Sequence, residues 1–321
     1  MVAFNSDQQR RAVLIGALCL GLLGGTLWHV VGQGESSVGL AASNVPPSQD
    51  IASFRATAAE LPSRRERILV TGAAGFVGFH TVLALKSAGH DVIGLDIVND
   101  YYTLALKDER IRRLEAAGVT LLRGDVCDSS LLAQHIHNRT GGVTKVIHLA
   151  AQAGVRYSLK HPLSYTRNNI ECFVALLEAL KGSGVPLVYA SSSSVYGTNT
   201  KIPFAESDPV EKPASLYAVS KRSDELIALT YNRLYGQRSV GLRFFTVYGP
   251  WGRPDMAYFS FVEDILNGKP IKMFNHGNAK RDFTYIDDIV SGIIAAATIT
   301  LKNDCEVFNL GKLQVSSVTF P

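Results

Sequence analysis

Three stretches of different apolar pattern follow one another along the chain. From Ala12 to Val31 runs AVLIGALCLGLLGGTLWHVV, 20 residues without a formal charge. At ~1.5 Å of rise per residue, a helix of that length spans a ~30 Å hydrocarbon core. Residues 32–63 are rich in Ser, Ala, Gly and Pro with no periodic apolar pattern, and read as a stem. From residue 64 onward, short apolar runs alternate with stretches of helical spacing. RILV (67–70), DVIGLD (91–96), VTLLRGDV (119–126), KVIHLAA (145–151), PLVYASS (186–192) and SVGLRFFTV (239–247) predict strands. Helices are predicted at 76–89 and near 104–116, 129–138, 166–181 and 216–236. This alternation, without an internal repeat, predicts an α/β fold built on a doubly wound parallel sheet.

Composition narrows the class. A chain of 321 residues allows roughly two domains. With 46% hydrophobic and 19% charged residues, it is not wholesale disordered. The net charge of +4 comes from scattered basic residues, which argues against a nucleic-acid partner. Cys19, Cys127, Cys172 and Cys305 are widely separated, with no CxxC and no ligand-like spacing to histidine. Free buried thiols are therefore expected, with neither a metal site nor a disulfide framework.

Arg10 and Arg11 precede the 12–31 run, and no basic residue follows it until Arg55. The positive-inside rule then keeps the N-terminus cytosolic and translocates the remainder. The run exceeds the ~7–15-residue apolar region of a cleaved signal, and Trp28 near its end suits a membrane interface, so an anchor is favoured. Asn138-Arg139-Thr140 is a glycosylation sequon that would face the lumen. The expected organisation is a cytosolic tail (1–11), a transmembrane anchor (12–31), a stem (32–63), a nucleotide-binding domain (64–250) and a smaller substrate domain (251–321).

The first predicted strand runs directly into TGAAGFVG, then a helix, then a strand ending on Asp96. That is the order of a dinucleotide-binding βαβ unit. Gly72 permits a tight turn, Gly75 lets the backbone approach a pyrophosphate, and Gly78 lets helix pack close on sheet. The helix N-terminus then faces the phosphate charge. Asp96 can accept from a ribose 2′-OH and would repel a 2′-phosphate, which favours NAD over NADP. The spacing is GxxGxxG, a weak signal alone and a stronger one in this context. Farther on, Tyr217-Ala-Val-Ser-Lys221 lies in a predicted helix, so Tyr217 and Lys221 share a face. A nearby ammonium stabilises a phenolate. Ser191–Ser194, at the end of the preceding strand, offer hydroxyls that could hold a substrate oxygen near that phenol.

In order, GxxGxxG, GDV, HLAA, SSSVYG, YAVSK and RDFTYIDD resemble the extended short-chain dehydrogenase/reductases acting on nucleotide sugars, over about residues 66–311. Within that group, DIVNDYYTLALKDERIRRL, VRYSLKHPLSYTRNNI and FFTVYGPWGRPDMA resemble UDP-glucuronate 4-epimerases, whose plant-type members carry an N-terminal membrane helix. The resemblance implies Tyr217 as base, Lys221 as its electrostatic helper and ribose ligand, and Ser192 as hydroxyl partner, with Ser193 in reserve. It implies Asp125 and Val126 near the adenine, and Ala150 and Ala151 beside the cofactor. Asn169 and Arg281 match substrate positions, Arg281 suiting the UDP phosphates. Thr246 and Arg253 look like a clamp for the uronate carboxylate. Asp287 or Asp288 is expected to cap a helix.

The implied reaction is redox epimerisation at C4 through a 4-keto intermediate, with NAD regenerated each cycle and no metal. The 12–31 segment and the arginine pair before it lead us to expect a type II protein of the Golgi membrane with a lumenal catalytic domain, and a homodimer is expected. Dehydratases and UDP-xylose synthases of this group carry an acid in the serine run, which Ser192-Ser193-Ser194 lacks. Decarboxylation, 4-epimerisation of another nucleotide sugar, and a non-catalytic NAD-binding remnant stay open as alternatives. The last of these arises because the family continues for many tens of residues past FNLG (308–311), so the substrate domain is expected to be partial.

Overall fold

The computed structural model describes residues 65–137, 141–271, 281–299 and 303–311. The 12–31 run, the stem, the sequon at 138–140 and residues 312–321 lie outside them. Among the described residues, no helix is long and apolar enough to cross a membrane.

The described residues open with β1 (Arg67–Thr71), α1 (Phe76–Ser87), β2 (Asp91–Asp96), α2 (Leu104–Ala116), β3 (Thr120–Arg123) and α3 (Ser129–Ile136). After β4 (Lys145–His148) come two short helices, α4 (Val155–Lys160) and α5 (Pro162–Tyr165). A π-helical turn (Thr166–Glu171) then leads into α6 (Cys172–Leu180). Next stand β5 (Leu187–Ser192), a 3-10 turn (Ser193–Tyr196), α7 (Leu216–Tyr235), β6 (Ser239–Phe244) and β7 (Thr246–Tyr248). The described chain closes with α8 (Ala257–Leu266), β8 (Phe283–Tyr285), α9 (Ile286–Thr298) and β9 (Cys305–Leu310).

The main sheet is parallel throughout, in the order β3-β2-β1-β4-β5-β6-β9. The order reverses direction between β1 and β4, the switch point where open α/β sheets bind ligands. Both faces are covered, which is why the strands read as continuous apolar runs. In β1, Leu69 joins the core under α6 with Phe173, Leu176 and Leu177, while Ile68 and Val70 join the opposite core with Phe79, Val82 and Ile293. Four of the five helices predicted after residue 64 match the described ones closely; the fifth, 166–181, is divided by the π turn at its start.

Three expectations change. SVGLRFFTV is two strands, because the backbone changes partner at Phe245. Phe245 N donates to Leu310 O on the main-sheet edge, whereas Thr246 N donates to Asp282 O. β7 therefore pairs with β8 in a separate two-stranded sheet. The thiol expectation fails as well, since Cys127 and Cys172 form a disulfide. The turn after β3 and the start of α6 lie side by side, with Cα atoms 4.3 Å apart across a sequence separation of 45. That bond occupies two sulfurs which, with Asp125, would otherwise make a three-ligand cluster. Cys305 is free and half-buried, and Cys19 lies outside the described residues. Finally, Asp287 and Asp288 do not cap α9 through their side chains. Tyr285 holds the cap position, and the two acids sit in the first turn, where they complement the helix dipole.

Candidate active site

The glycine turn, Asp96, Asp125, Val126, Ala150 and Ala151 lie at or just beyond the C-terminal ends of parallel strands, whereas Tyr217 and Lys221 lie in α7. Gly72 follows β1 in the left-handed region at φ 71°, and a Cβ there would stand 2.7 Å from Ala150 N. At Gly78 a Cβ would stand 2.0 Å from Gly72 O, so α1 packs directly on the turn. Gly75 is different. Its Cβ would meet only the Gly72 carbonyl within 4 Å, so the opposite side of the loop is open. An open glycine cradle at the start of α1 fits a diphosphate.

Asp96 ends β2 buried, its Oδ2 accepting from Ala74 N (2.9 Å) and its Oδ1 from Val98 N (2.8 Å). The carboxylate thus ties the glycine loop to β2 and keeps a further acceptor site on each oxygen. Asp125, after β3, accepts from Cys127 N (2.9 Å) and pairs with Arg167 (2.7 Å). Burial opposes its charge, but the Cys127 amide and Arg167 hold its pKa below the usual carboxylate value. Val126 is buried in the core. Ala150 is half-buried after β4, and Ala151 is exposed. The Ala150 amide donates to Thr71 Oγ1 (3.2 Å), joining the β1 and β4 ends.

Ser215 caps α7, its hydroxyl accepting from Ala218 N. One turn in, Tyr217 is half-buried and its phenol makes no hydrogen bond to a described residue. Its ring meets Tyr165 edge-on at 6.1 Å, and Tyr165 is fixed by donating to the carbonyls of Ala153 and Gly154 (2.8 and 2.5 Å). Lys221, one turn on and 2% exposed, pairs with Asp224 at 3.1 Å. Burial pushes the Asp224 carboxyl up to about 7 against the Lys221 charge. Across from them, burial and then the Lys221 charge lower His148 to about 3, so this histidine is neutral.

The serine run divides its work. Ser191 donates to Glu225 (2.7 Å), which Arg243 grips through two contacts at 2.8 and 2.9 Å. Ser192 accepts from Ser194 N (3.2 Å), and Ser193 is half-buried. No hydrogen bond joins Ser192 to Tyr217, or Tyr217 to Lys221, among the described residues. Asn169, expected in substrate contact, is committed to the scaffold instead. It is 1% exposed, accepts from Gln152 N (2.7 Å), and donates to Gln152 O (3.1 Å) and Ser220 Oγ (2.9 Å). The π turn delivers it there, clamping the β4 loop onto α7.

Thr246 begins β7, half-buried, and Arg281 stands exposed just before β8. Arg253 lies on the segment between β7 and α8 and pairs with Asp255 through Nε (3.0 Å) and Nη2. Burial opposes its charge, but Asp255, then Tyr101 and Tyr217, more than offset this and raise its pKa. The Tyr217 phenol therefore lies within electrostatic reach of the Arg253 guanidinium.

Sequence reasoning missed the residue that knits these loops together. Arg110 in α2 is 0% exposed, donating to Ala74 O (2.8 Å), Tyr102 Oη (2.6 Å) and Trp251 O. It links the glycine loop to the segment carrying Arg253. The signal was present in the sequence, because the buried positions of α2 are Lys107, Arg110, Ile111 and Leu114, one helix face that includes two cations.

Comparison with known proteins identifies the family. The NAD dependent epimerase/dehydratase family matches residues 68–311. UDP-glucuronate 4-epimerase 3 of Arabidopsis thaliana is 51% identical, the match covering 82% of this chain and 65% of the relative. UDP-glucuronate 4-epimerase 4 of the same plant is 53% identical over 76% of this chain and 59% of its own. The chain thus spans about three-fifths to two-thirds of the length of these relatives. Among solved structures, UDP-glucuronic acid 4-epimerase from Bacillus cereus, in complex with UDP-glucuronic acid and NAD, superposes with a TM-score of 0.70. It is 37% identical, with 78% of this chain and 79% of that one covered. From the glycine turn to β9, the chain belongs to the NAD dependent epimerase/dehydratase family.

Proposed function

We propose that this chain interconverts UDP-glucuronate and UDP-galacturonate by NAD-dependent epimerisation at C4. The observation that carries this reading is the phenol of Tyr217, free of hydrogen bonds to described residues, edge-on to Tyr165 and one helical turn from the buried Lys221, in a fold that also carries an open glycine cradle. The names of the relatives support it.

NAD, when bound, supplies a reversible acceptor for the C4 hydride. Gly72, Gly75 and Gly78 would hold its diphosphate, Asp96 its ribose, and Asp125 with Val126 its adenine side. Ala150 and Ala151 would line the cofactor at the β4 end. Lys221 spends one of its three hydrogens on Asp224 and would offer the others to the second ribose and toward Tyr217. Tyr217 takes the proton of the C4 hydroxyl, with Ser192 or Ser193 steadying that oxygen. The 4-keto sugar then turns, and the same phenol returns the proton as the opposite face is reduced. The net reaction is an isomerisation.

Arg253 and Thr246 hold the uronate carboxylate, and Arg281 meets the diphosphate. A 4-keto uronate is a β-keto acid, which loses CO₂ when its C–C bond aligns with the carbonyl π system. Fixing the carboxylate out of that alignment preserves the carbon. Decarboxylation is the second reading, and the carboxylate-free serine run disfavours it. We place the chain in the Golgi membrane through residues 12–31, its folded part lumenal, working as a homodimer. Protease treatment of intact microsomes should leave the folded part uncut until detergent is added.

Incubating the chain with UDP-glucuronate and NAD and separating the nucleotide sugars tests the reaction. UDP-galacturonate is the expected product. UDP-xylose as the main product would give the site to decarboxylation, and bound NAD without any product would make the chain a non-catalytic NAD-binding remnant.

A further inference from the structure

We infer that Asp255 and Tyr101 position Arg253, gripping one edge of its guanidinium so that the other edge is presented to a ligand carboxylate. The inference rests on the proposed role of Arg253 as the uronate contact.

A guanidinium carries five N–H donors in a planar array with two edges, each able to receive a carboxylate. Asp255 takes the side edge, through Nε and Nη2. Apart from the Tyr101 hydroxyl, which lies within hydrogen-bond reach of the guanidinium, the three remaining hydrogens, on Nη1 and Nη2, meet no other described residue, and about a fifth of the side chain (21%) is exposed. The end-on edge is thus ready for a second carboxylate, and the side edge is closed to one.

Asp255 is fixed in turn. Tyr101 donates to its Oδ2 (3.1 Å) and lays its ring under the guanidinium, 5.6 Å from centroid to Cζ. Burial pushes the Tyr101 phenol up to about 12, so it stays a donor at neutral pH. A Cβ on Gly154 would stand 2.5 Å from the Tyr101 hydroxyl, and the Tyr101 ring meets Tyr157 at 4.8 Å. Tyr157 stacks on His161 at 4.2 Å. The backbone beneath Arg253 is pinned as well, because Arg110 holds the carbonyl of Trp251, a residue at φ 60°. A long side chain that would otherwise sample many rotamers is therefore held at both ends before the ligand arrives.

This frame also favours an acid over a neutral sugar. With Asp255 bound, the pair is close to neutral, so its attraction is short-ranged and directional. A carboxylate that fits the end-on edge gains two charge-assisted hydrogen bonds. A hydroxymethyl group at the same place gains little.

The test compares dissociation constants of UDP-glucuronate and UDP-glucose for the NAD-loaded full chain and four variants. Arg253→Ala should weaken UDP-glucuronate roughly 10- to 150-fold and scarcely change UDP-glucose. Asp255→Ala should weaken UDP-glucuronate about 10-fold by freeing the guanidinium, with less than a roughly twofold change for UDP-glucose. Asp255→Asn keeps the shape and one acceptor, guards against loss of the fold, and should fall between. Tyr101→Phe should act in the same direction more weakly. In the Asp255 variants the share of turnovers ending in CO₂ should rise. Tighter binding of UDP-glucuronate by Asp255→Ala would make Asp255 a competitor for Arg253 and overturn the inference. So would equal weakening toward both nucleotides, which marks a general role in the fold. If Arg253→Ala is selective and the Asp255 variants behave as wild type, only this inference fails. If Arg253→Ala is not selective, or the wild type shows no preference for UDP-glucuronate, the carboxylate reading fails and takes the inference with it.

Discussion

Replacing Gly78 by alanine tests the cofactor cradle at its tightest point. The added methyl would stand 2.0 Å from the Gly72 carbonyl oxygen, roughly 1 Å inside the closest approach such atoms tolerate. Neither partner can yield easily. The Gly72 carbonyl accepts from Gly75 N at 2.9 Å, and α1 is locked by Phe79, Val82 and Leu85, each at most 2% exposed. Overpacking of this kind costs about 1–3 kcal/mol. For a folded unit of this size that lowers Tm by ~2–12 °C. A displaced turn also misaligns the amides that meet the diphosphate, and losing one or two bonds to a charged group weakens NAD by at least ~10-fold. The control is Gly89→Ala, at φ 87° with nothing within 4 Å of its Cβ. Left-handed strain should cost about 1–2 kcal/mol there, leaving NAD in place. NAD is measured in the supernatant after denaturing the purified proteins, beside their thermal unfolding curves. Wild-type NAD content in Gly78→Ala would refute the reasoning, and so would equal loss from Gly89→Ala.

Other outcomes follow from neighbouring residues. Arg110→Met should destabilise the fold by more than about 3 kcal/mol in urea unfolding, because three acceptors lose a charged donor in a dry site; a change under ~1 kcal/mol would show that these loops hold without it. Tyr217→Phe should abolish turnover while changing the UDP-glucuronate dissociation constant less than about threefold, because one hydroxyl is removed and the ring is kept. Residual turnover above a tenth of wild type would remove Tyr217 from the chemistry. The neutral His148, lowered to about 3, binds no proton between its two pKa values while an unfolded histidine does. Stability contributed by this site is therefore full above ~6.5 and falls as pH drops toward 3, by up to ~1.4 kcal/mol per unit. His148→Gln should flatten the pH dependence of unfolding in that window by one proton, and an unchanged slope would mean the imidazole charges inside the fold.

The βαβ unit was legible because its logic is local. Strand, glycine turn, helix and Asp96 are consecutive, and their spacing alone places them at the end of one strand pair. Tyr217 and Lys221 were legible for the same reason, four residues apart on one helix. What stayed hidden depends on tertiary neighbours. Nothing in the spacing of Cys127 and Cys172 marks a bond that exists because a turn and a helix start meet across the sheet edge. Asn169 matched a substrate position in the family pattern, yet the π turn swings its amide onto Gln152 and Ser220. Arg253 was singled out, but Asp255 and Tyr101 were not, since the ring that frames the guanidinium comes from a loop 152 positions earlier.

The central claim is a hydride that leaves C4 and returns to it. UDP-glucuronate carrying deuterium at C4, incubated with the chain and NAD and resolved by mass spectrometry, follows that atom directly. The account predicts UDP-galacturonate that keeps its deuterium at C4, with none appearing in solvent. Deuterium lost to water, or a labelled pentose nucleotide as the main product, would contradict it.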